Sequence, residues 1–141
     1  MTALTAATPV SEAVNGLLQD ATFQAAVDGR WFDDIPPNTP RPCGFHEVFS
    51  ERDRRGLGTG GFPELEIRTH TFSDSGSLVE AQNLNLQIVA LLKDAEITGT
   101  GYQQAGKIVY RETITLRDAE LFGIKVHEVV SVFTCWMEQT A

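Results

Sequence analysis

Three histidines are the side chains best suited to metal or acid–base chemistry, namely His46, His70 and His127. Each lies in a segment whose residue pattern predicts a β-strand. A metal site needs three or four ligands that converge on one point. The three histidines lie on separate predicted strands, so folding could bring them together at one point. Nothing in their spacing requires this. Histidines in strands are usually packing residues, and a small metal- or ligand-binding protein therefore stays an alternative.

The other reactive residues form no known catalytic motif. The sequence has no G-x-S-x-G, Walker, H-E-x-x-H or C-x-x-C pattern. A glycine-rich run at 56–61 superficially resembles a phosphate-binding loop, yet a strand follows it where a helix is required. Asp33 and Asp34 stand close to Pro36 and are typical of a turn. We therefore predict no enzymatic activity, no cofactor and no bound metal.

Two cysteines, Cys43 and Cys135, allow at most one disulfide. The first residues have neither the basic start nor the apolar segment of a secretory signal, so we expect two free, partly buried thiols. No stretch approaches the roughly 20 apolar residues of a membrane-spanning helix.

Composition and charge restrict the class of partner. The chain has 141 residues, of which 42% are hydrophobic, and its net charge is −8. These values predict one globular domain that buries its own core. Proteins that bind nucleic acid carry a basic surface that neutralises phosphates. We therefore expect no tight or sequence-specific DNA binding, whereas an acidic surface past which DNA moves without sticking is compatible with the charge.

The N-terminal part predicts an arm, a helical region and a stiff connection. Residues 1–10 are small and polar, which is typical of a flexible arm. Apolar residues at helical spacing follow, and Ser11 is the predicted N-cap. Residues 20–27 either continue this helix or restart it, and Gly29 ends it. The proline-rich block at 33–42 is expected to be extended.

The middle of the chain predicts a long hairpin followed by a helix. Strands at 43–50 and 63–72 flank a tip at 51–61 that holds three arginines and four glycines. This composition predicts that the tip is flexible. A helix at 77–92 has an apolar stripe that includes Leu84 and Ile88, whereas Asn85 is expected to face away from it.

Two further strands are predicted at 107–117 and 122–136, joined by a turn at 118–121. Alternation assigns four apolar residues to one side of the first of these strands: Ile108, Tyr110, Ile114 and Leu116. The whole pattern predicts an α+β fold with an antiparallel sheet of four to five strands and two helices packed on one face. We expect one domain at 11–141 behind the arm at 1–10.

The hairpin tip concentrates residue types that contact other proteins. Such a tip is either a solvated loop or an assembly surface, and we favour assembly because arginine and apolar residues are enriched at interfaces. The candidate partner-binding residues are Arg52, Arg54, Arg55, Leu57 and Phe62.

A series of short motifs runs in a fixed order along residues 10–136. The series consists of LLQDA at 17–21, GRWFDDIPP at 29–37, PRPC at 40–43, LEIRTHTFS at 65–73 and the helix at 77–92. In this order the chain resembles the tail-completion family of long-tailed phages, prophages and gene transfer agents, which includes tail terminators and head–tail joining proteins. Phe32, Phe72 and the glycine-rich tip depart from the family pattern.

The resemblance implies a structural virion protein without catalysis. Its members are expected to form a homohexameric ring that caps the head-proximal end of the tail tube, stops tube polymerisation and binds the head connector. DNA passes through the bore as cargo, and no membrane is involved. The alternative is a head-completion or stopper ring on the portal side. Either ring would be assembled in the host cytoplasm and sit at the virion neck.

Within such a ring, the hairpin tip is expected to reach a neighbouring ring or the tube. We expect subunit contacts at sheet edges and at the two helices. The aromatic and proline residues after the first helices are the named candidates for the subunit interface: Trp31, Phe32, Ile35, Pro36 and Pro37.

Overall fold

The computed structural model describes residues 6–53, 63–74, 76, 78–99 and 101–139. Within these ranges the helices are α1 (Ala7–Leu17), α2 (Ala21–Ala26) and α3 (Leu78–Leu92). The strands are β1 (Trp31–Phe32), β2 (Cys43–Asp53), β3 (Pro63–Asp74), β4 (Thr98–Gly99), β5 (Tyr102–Gln104), β6 (Val109–Leu121) and β7 (Ile124–Gln139). None of the described helices is long and apolar enough to cross a membrane.

The described strands form one seven-stranded sheet. Its order is β1-β2-β3-β7-β5-β4, and β6 pairs with β7 beside this path. The pair β1–β2 is parallel, and the other pairs are antiparallel. The predicted α+β class and the hairpin of β2 with β3 are confirmed. The prediction of four to five purely antiparallel strands is wrong, because β1, β4 and β5 have only two or three residues and show no periodicity in the sequence.

The helices pack on one side of the sheet, here called the helix face, and the opposite side is called the outer face. Odd-numbered residues of β3 are buried, as the alternation predicted. On the helix face, Ile67 of β3 lies opposite Phe133 of β7, and Leu65 lies opposite Cys135. All four side chains are fully buried. The helices complete this core with Val10, Val14, Phe23, Leu84, Ile88 and Leu92.

A second, smaller core lies on the outer face at one end of the sheet. Ile35 from the proline-rich block packs there with Phe72 and Val126. The Cys43 side chain belongs to the same cluster. The proline-rich block therefore covers the end of the outer face at which β3 finishes.

Helix α1 begins five residues earlier than predicted, at Ala7 with Ala6 in the N-cap position, so Ser11 is not its N-cap. Pro9 occupies the first turn, where its missing N–H needs no partner. Burial of Ala6 and Val10 holds that first turn against the core. The predicted arm is accordingly shorter, and residues 1–5 lie outside the described residues. Helix α2 shows that the helix restarts at residue 21 instead of continuing, since Asp20 accepts a 3.1 Å hydrogen bond from Phe23 N and caps it. The prediction of two helices is therefore wrong, and three helices are described.

Helix α3 confirms the predicted helix and its stripe, with one correction. Asn85 is buried against the sheet instead of facing solvent. Ser131 of β7 donates a 2.6 Å hydrogen bond to its side-chain oxygen. The side chain of Thr113 in β6 lies 2.8 Å from the Ser131 hydroxyl and continues the polar contact. An amide can occupy this core position because the facing strands supply hydroxyl partners.

Strand β6 departs from the predicted alternation because of a β-bulge between Tyr110 and Glu112. One extra residue reverses which side chains face the core. Tyr110 therefore stays with the core, whereas Ile114 and Leu116 point to the outer face. The four apolar residues predicted on one side of the strand are thus divided between the two faces.

The turn between β6 and β7 falls at Phe122 and Gly123, later than predicted. Both residues have positive φ, 51° and 80°. Paired positive φ values suit a two-residue hairpin turn, and glycine adopts them at little cost. Asp118, the predicted start of the turn, instead lies in a second bulge of β6 between Leu116 and Ala119. Asp118 has a φ of 60° in this bulge.

Candidate assembly surfaces

The predicted partner-binding tip is described only at its base. Arg52 is exposed near the end of β2 and lies on the outer face, opposite Glu64 of β3. It lines a shallow hollow together with Ser50, Glu66 and Thr134. The other named candidates lie outside the described residues: Arg54, Arg55, Leu57 and Phe62.

The predicted subunit-interface residues divide into buried and exposed members. Trp31 is only 8% exposed and Ile35 only 7%, so each belongs to a core of its own subunit. Phe32 is half-buried beside the second core, and Pro36 and Pro37 are exposed. Of these five residues, Phe32, Pro36 and Pro37 therefore expose surface to solvent.

Trp31 is fixed by two aromatic contacts. Its ring meets Phe23 edge to face at a centroid distance of 5.3 Å. Its indole Nε1 donates a 2.9 Å hydrogen bond to Nδ1 of buried His46. Gly44, the β2 partner of Trp31, has no room for a side chain, because an added Cβ would stand 2.4 Å from the indole ring.

His46 is a packing residue that ties α1 to the sheet. Because Nδ1 accepts from Trp31, the ring proton must lie on Nε2. That nitrogen donates to the carbonyl oxygen of Ser11 at 3.2 Å. Burial lowers the pKa of His46, opposed by the Ser11 hydrogen bond and the charge of Asp33. The histidine is thus held neutral between two partners.

The other two histidines lie elsewhere and do not join His46. His70 is on the outer face, where Nδ1 donates to Glu128 at 2.7 Å and Nε2 stands 3.4 Å from Glu47. Its ring stacks on Phe45 at a centroid distance of 4.3 Å. His127 is buried on the helix face, opposite Ser73 in the sheet register. Within the described ranges, no three histidine, cysteine, aspartate or glutamate side chains come together as a metal-binding group.

The two thiols are free and buried, as predicted, although the burial is more complete than expected. Burial raises the pKa of Cys43 to about 11, and the nearby Arg41 and Arg30 charges oppose that rise. Burial raises the pKa of Cys135 to about 12. A thiol that stays protonated and inaccessible is a poor nucleophile and a poor metal ligand.

Helix α3 presents an exposed face without charge. Val79 and Leu86 are each 66% exposed, and they stand two helical turns apart on the side away from the core. Residues 81–92 contain no charged side chain on any face of the helix. The first charged residues at either end of this stretch are Glu80 and Lys93, both exposed.

Strand β6 presents a second apolar surface, on the outer face of the sheet. Ile114 and Leu116 are each 43% exposed. The predicted alternation had placed both side chains on the buried side of the strand. Within the described part of the chain, β6 pairs only with β7, so its other edge is open. Long exposed edge strands with apolar side chains are sites at which another chain pairs or packs.

Sequence reasoning missed both apolar surfaces, although one signal was present. A surface helix of a soluble domain usually carries charged residues on its outer side. The twelve consecutive uncharged residues in α3 therefore indicate that the outer side of this helix differs from an ordinary solvated surface. The β6 surface had no comparable signal, because a bulge at Arg111 decides which way Ile114 points.

Comparison with solved structures gives an informative likeness. No family model matches the sequence, and no curated protein matches it either. The fold is similar to that of a chain in the solved structure of the virion of a native gene transfer agent particle. The two share 17% sequence identity with a TM-score of 0.75, over 93% of this chain and 96% of that one. At this identity the likeness shows a common fold across the whole domain.

Proposed function

We propose that this chain is a structural virion protein of a phage-like particle. The observation that carries the proposal is the likeness to a gene transfer agent virion chain, which spans nearly the full length of both chains. The motif order at residues 10–136 independently resembles the tail-completion family. Exposed apolar side chains on α3 and on β6 fit a subunit that is covered by neighbours in an assembly.

In finer detail, we propose a homohexameric ring that caps the head-proximal end of the tail tube. One side of the ring would bind the last tube ring and stop further polymerisation, and the other side would bind the head connector. The hairpin tip around Arg52 is the proposed contact with a neighbouring ring. A net charge of −8 suits a bore through which DNA slides, because like charge prevents the duplex from binding to the wall.

Deletion of the gene in the producing strain tests this role. A terminator that is missing leaves tube growth unchecked, so electron micrographs should show tails of irregular and excessive length detached from heads. A plasmid copy of the wild-type gene should restore uniform, attached tails. Tails of normal length beside unattached heads would instead indicate a stopper ring on the portal side. Normal infectious or gene-transferring particles would contradict both positions.

A further inference from the structure

We infer that His70 and Glu47 bind a zinc ion on the outer face of the sheet, and that Glu128 orients the histidine for it. The three side chains come from the neighbouring strands β3, β2 and β7. The site belongs to a single subunit, so the inference stands or falls independently of the proposed role in the virion.

The hydrogen bonds of His70 decide which ring nitrogen can ligate a metal. Nδ1 lies 2.7 Å from a carboxylate oxygen of Glu128, and an ionised carboxylate only accepts, so the proton of the neutral ring lies on Nδ1. Nε2 then presents its lone pair to Oε1 of Glu47, which is 3.4 Å away. Two acceptors that face each other are held together only by a cation between them.

The distance between these two atoms suits two ligands of one zinc ion. Tetrahedral zinc lies about 2.0–2.2 Å from imidazole nitrogen and carboxylate oxygen, which places neighbouring ligands about 3.3–3.5 Å apart. Octahedral magnesium would need its neighbouring ligands about 2.9 Å apart and prefers oxygen. The observed 3.4 Å and the imidazole ligand therefore favour zinc over magnesium.

Glu128 and Phe45 hold the imidazole in a fixed orientation. A ligating histidine usually donates its other ring N–H to a carboxylate, which sets the ring orientation and makes the ligating nitrogen more basic. Glu128 has this position relative to His70. The Phe45 ring stacks on the imidazole at a centroid distance of 4.3 Å, with the two planes 3° apart. The ligating nitrogen is thus positioned before an ion binds.

The charges around the site also favour a bound cation. Among the described residues, neither Glu47 nor Glu128 forms an ion pair with a lysine or an arginine. Arg68 lies opposite Glu47 in the sheet register, but its guanidinium binds Glu66 at 2.8 Å. Two carboxylates therefore flank a neutral imidazole, and their charge attracts a divalent cation.

The site is open to solvent on the side of Glu47. The side chains of His70 and Glu128 are each 15% exposed, whereas that of Glu47 is 38% exposed. Because Glu128 binds the opposite ring nitrogen, the described residues supply two ligands, and water completes the tetrahedron. Binding should accordingly be weaker than at a structural zinc site with four protein ligands, and a chelator should reverse it.

Calorimetric titration of zinc chloride into the chelator-treated, full-length chain at pH 7.5 tests the site. His70→Gln and Glu47→Gln should each weaken binding about tenfold or more, and Glu128→Gln about 10–100-fold, as expected for an orienting partner. Glu66→Gln is the matched control, because this carboxylate lies on the same face but binds Arg68. It should retain the wild-type affinity. Equal affinity in His70→Gln and the wild type would overturn the inference, since zinc would then bind to unrelated carboxylates.

Nitrogen NMR of the histidine rings gives a second readout that needs no variant to fold. Zinc should shift the ring nitrogens of His70 alone, because His46 and His127 are buried on the helix face and serve as internal controls. The His70 signals can be assigned through the proximity of its ring to Phe45. If a proton instead of zinc lies between Nε2 and Glu47, zinc will leave all three imidazoles unchanged, and the inference will be refuted.

Discussion

The indole nitrogen of Trp31 donates a 2.9 Å hydrogen bond to Nδ1 of His46, and the opposite ring nitrogen of His46 reaches the carbonyl oxygen of Ser11. One imidazole thus joins β1, β2 and α1. The arrangement works only while Nδ1 lacks a proton. A protonated ring would bring two N–H donors face to face with no acceptor between them.

The free energy of unfolding should therefore decrease at acidic pH because of His46. Burial lowers its pKa from the ordinary 6.5, so the folded state binds the proton less readily than the unfolded state. The contribution is fully present above pH 6.5 and is lost as the pH falls from there through the folded-state pKa. Thermal unfolding midpoints from pH 8 to pH 5 should drop more in the wild type than in His46→Gln, since glutamine accepts and donates without titrating.

His70→Gln is the matched control for that measurement. It removes a histidine from the outer face and leaves the contact between Trp31 and His46 intact. The His70→Gln variant should therefore still lose the stability that His46 contributes when the pH falls. Identical pH profiles for the wild type and His46→Gln would contradict the assignment.

The polar contact under α3 should stabilise the fold. Ser131→Ala removes the donor to Asn85 and leaves a buried amide oxygen without its partner. The free energy of unfolding should decrease by about 1–3 kcal/mol. Urea denaturation, with the linear dependence on denaturant concentration, measures this change. A variant as stable as the wild type would show that the Asn85 contact is dispensable.

Thr69→Val should have the opposite effect. The Thr69 hydroxyl is fully buried and makes no hydrogen bond to any other part of the described chain. Valine has the same shape and removes the cost of burying that hydroxyl, so the free energy of unfolding should rise by about 1 kcal/mol. A loss of stability in the same urea experiment would mean that the hydroxyl has a partner.

Two leucines two positions apart on α3 should respond oppositely to a charge. Leu84 is 3% exposed in the core, so Leu84→Asp should unfold the subunit. Leu86 is largely exposed, so Leu86→Asp should change the stability by less than about 0.5 kcal/mol. Far-UV circular dichroism and melting curves distinguish the two. A folded Leu84→Asp variant would contradict the packing of α3 on the sheet.

The native thiols should be unreactive at neutral pH. Burial raises both thiol pKa values, to about 11 and about 12, so thiolate is scarce in the folded protein. A chromogenic disulfide reagent should detect almost no thiol at pH 7.5 and two thiols after unfolding in guanidinium. Rapid labelling of the native chain would indicate that Cys43 or Cys135 is accessible.

Shortening the hairpin tip should leave the folding of the subunit unchanged and impair the assembly of particles. Deleting residues 57–61, which lie outside the described residues, should leave the melting temperature nearly unchanged, because loop length has a small entropic effect. Particle yield should fall if the tip contacts a neighbouring ring or the tube. Normal particles from a strain with this deletion would make the tip a solvated loop.

Much of the fold was predictable where periodicity was long and uninterrupted. Strand β3 alternates over its full length, and α3 repeats its apolar positions over four turns, so both were placed within two residues. Short strands such as β1 and β4 have no period to detect. Their presence depends on tertiary pairing with β2 and β5.

The candidate surfaces were less predictable, for physical reasons that individual residues show. Trp31 and Ile35 resemble interface residues by type, yet the chain folds over them and buries both. Ile114 and Leu116 resemble core residues by alternation, yet the bulge beside Tyr110 turns them outwards. Residue type and spacing alone do not determine burial where a bulge or a covering loop intervenes.

The central claim is a ring of this chain at the top of the tail tube. Cryo-electron microscopy of the neck of purified particles from the producing strain tests it most directly. The proposal predicts one six-fold ring of this fold directly on the last tube ring, with a bore that admits duplex DNA. A copy found one layer higher, against the portal side, would contradict the terminator position. Absence of this chain from the neck would contradict the proposed function altogether.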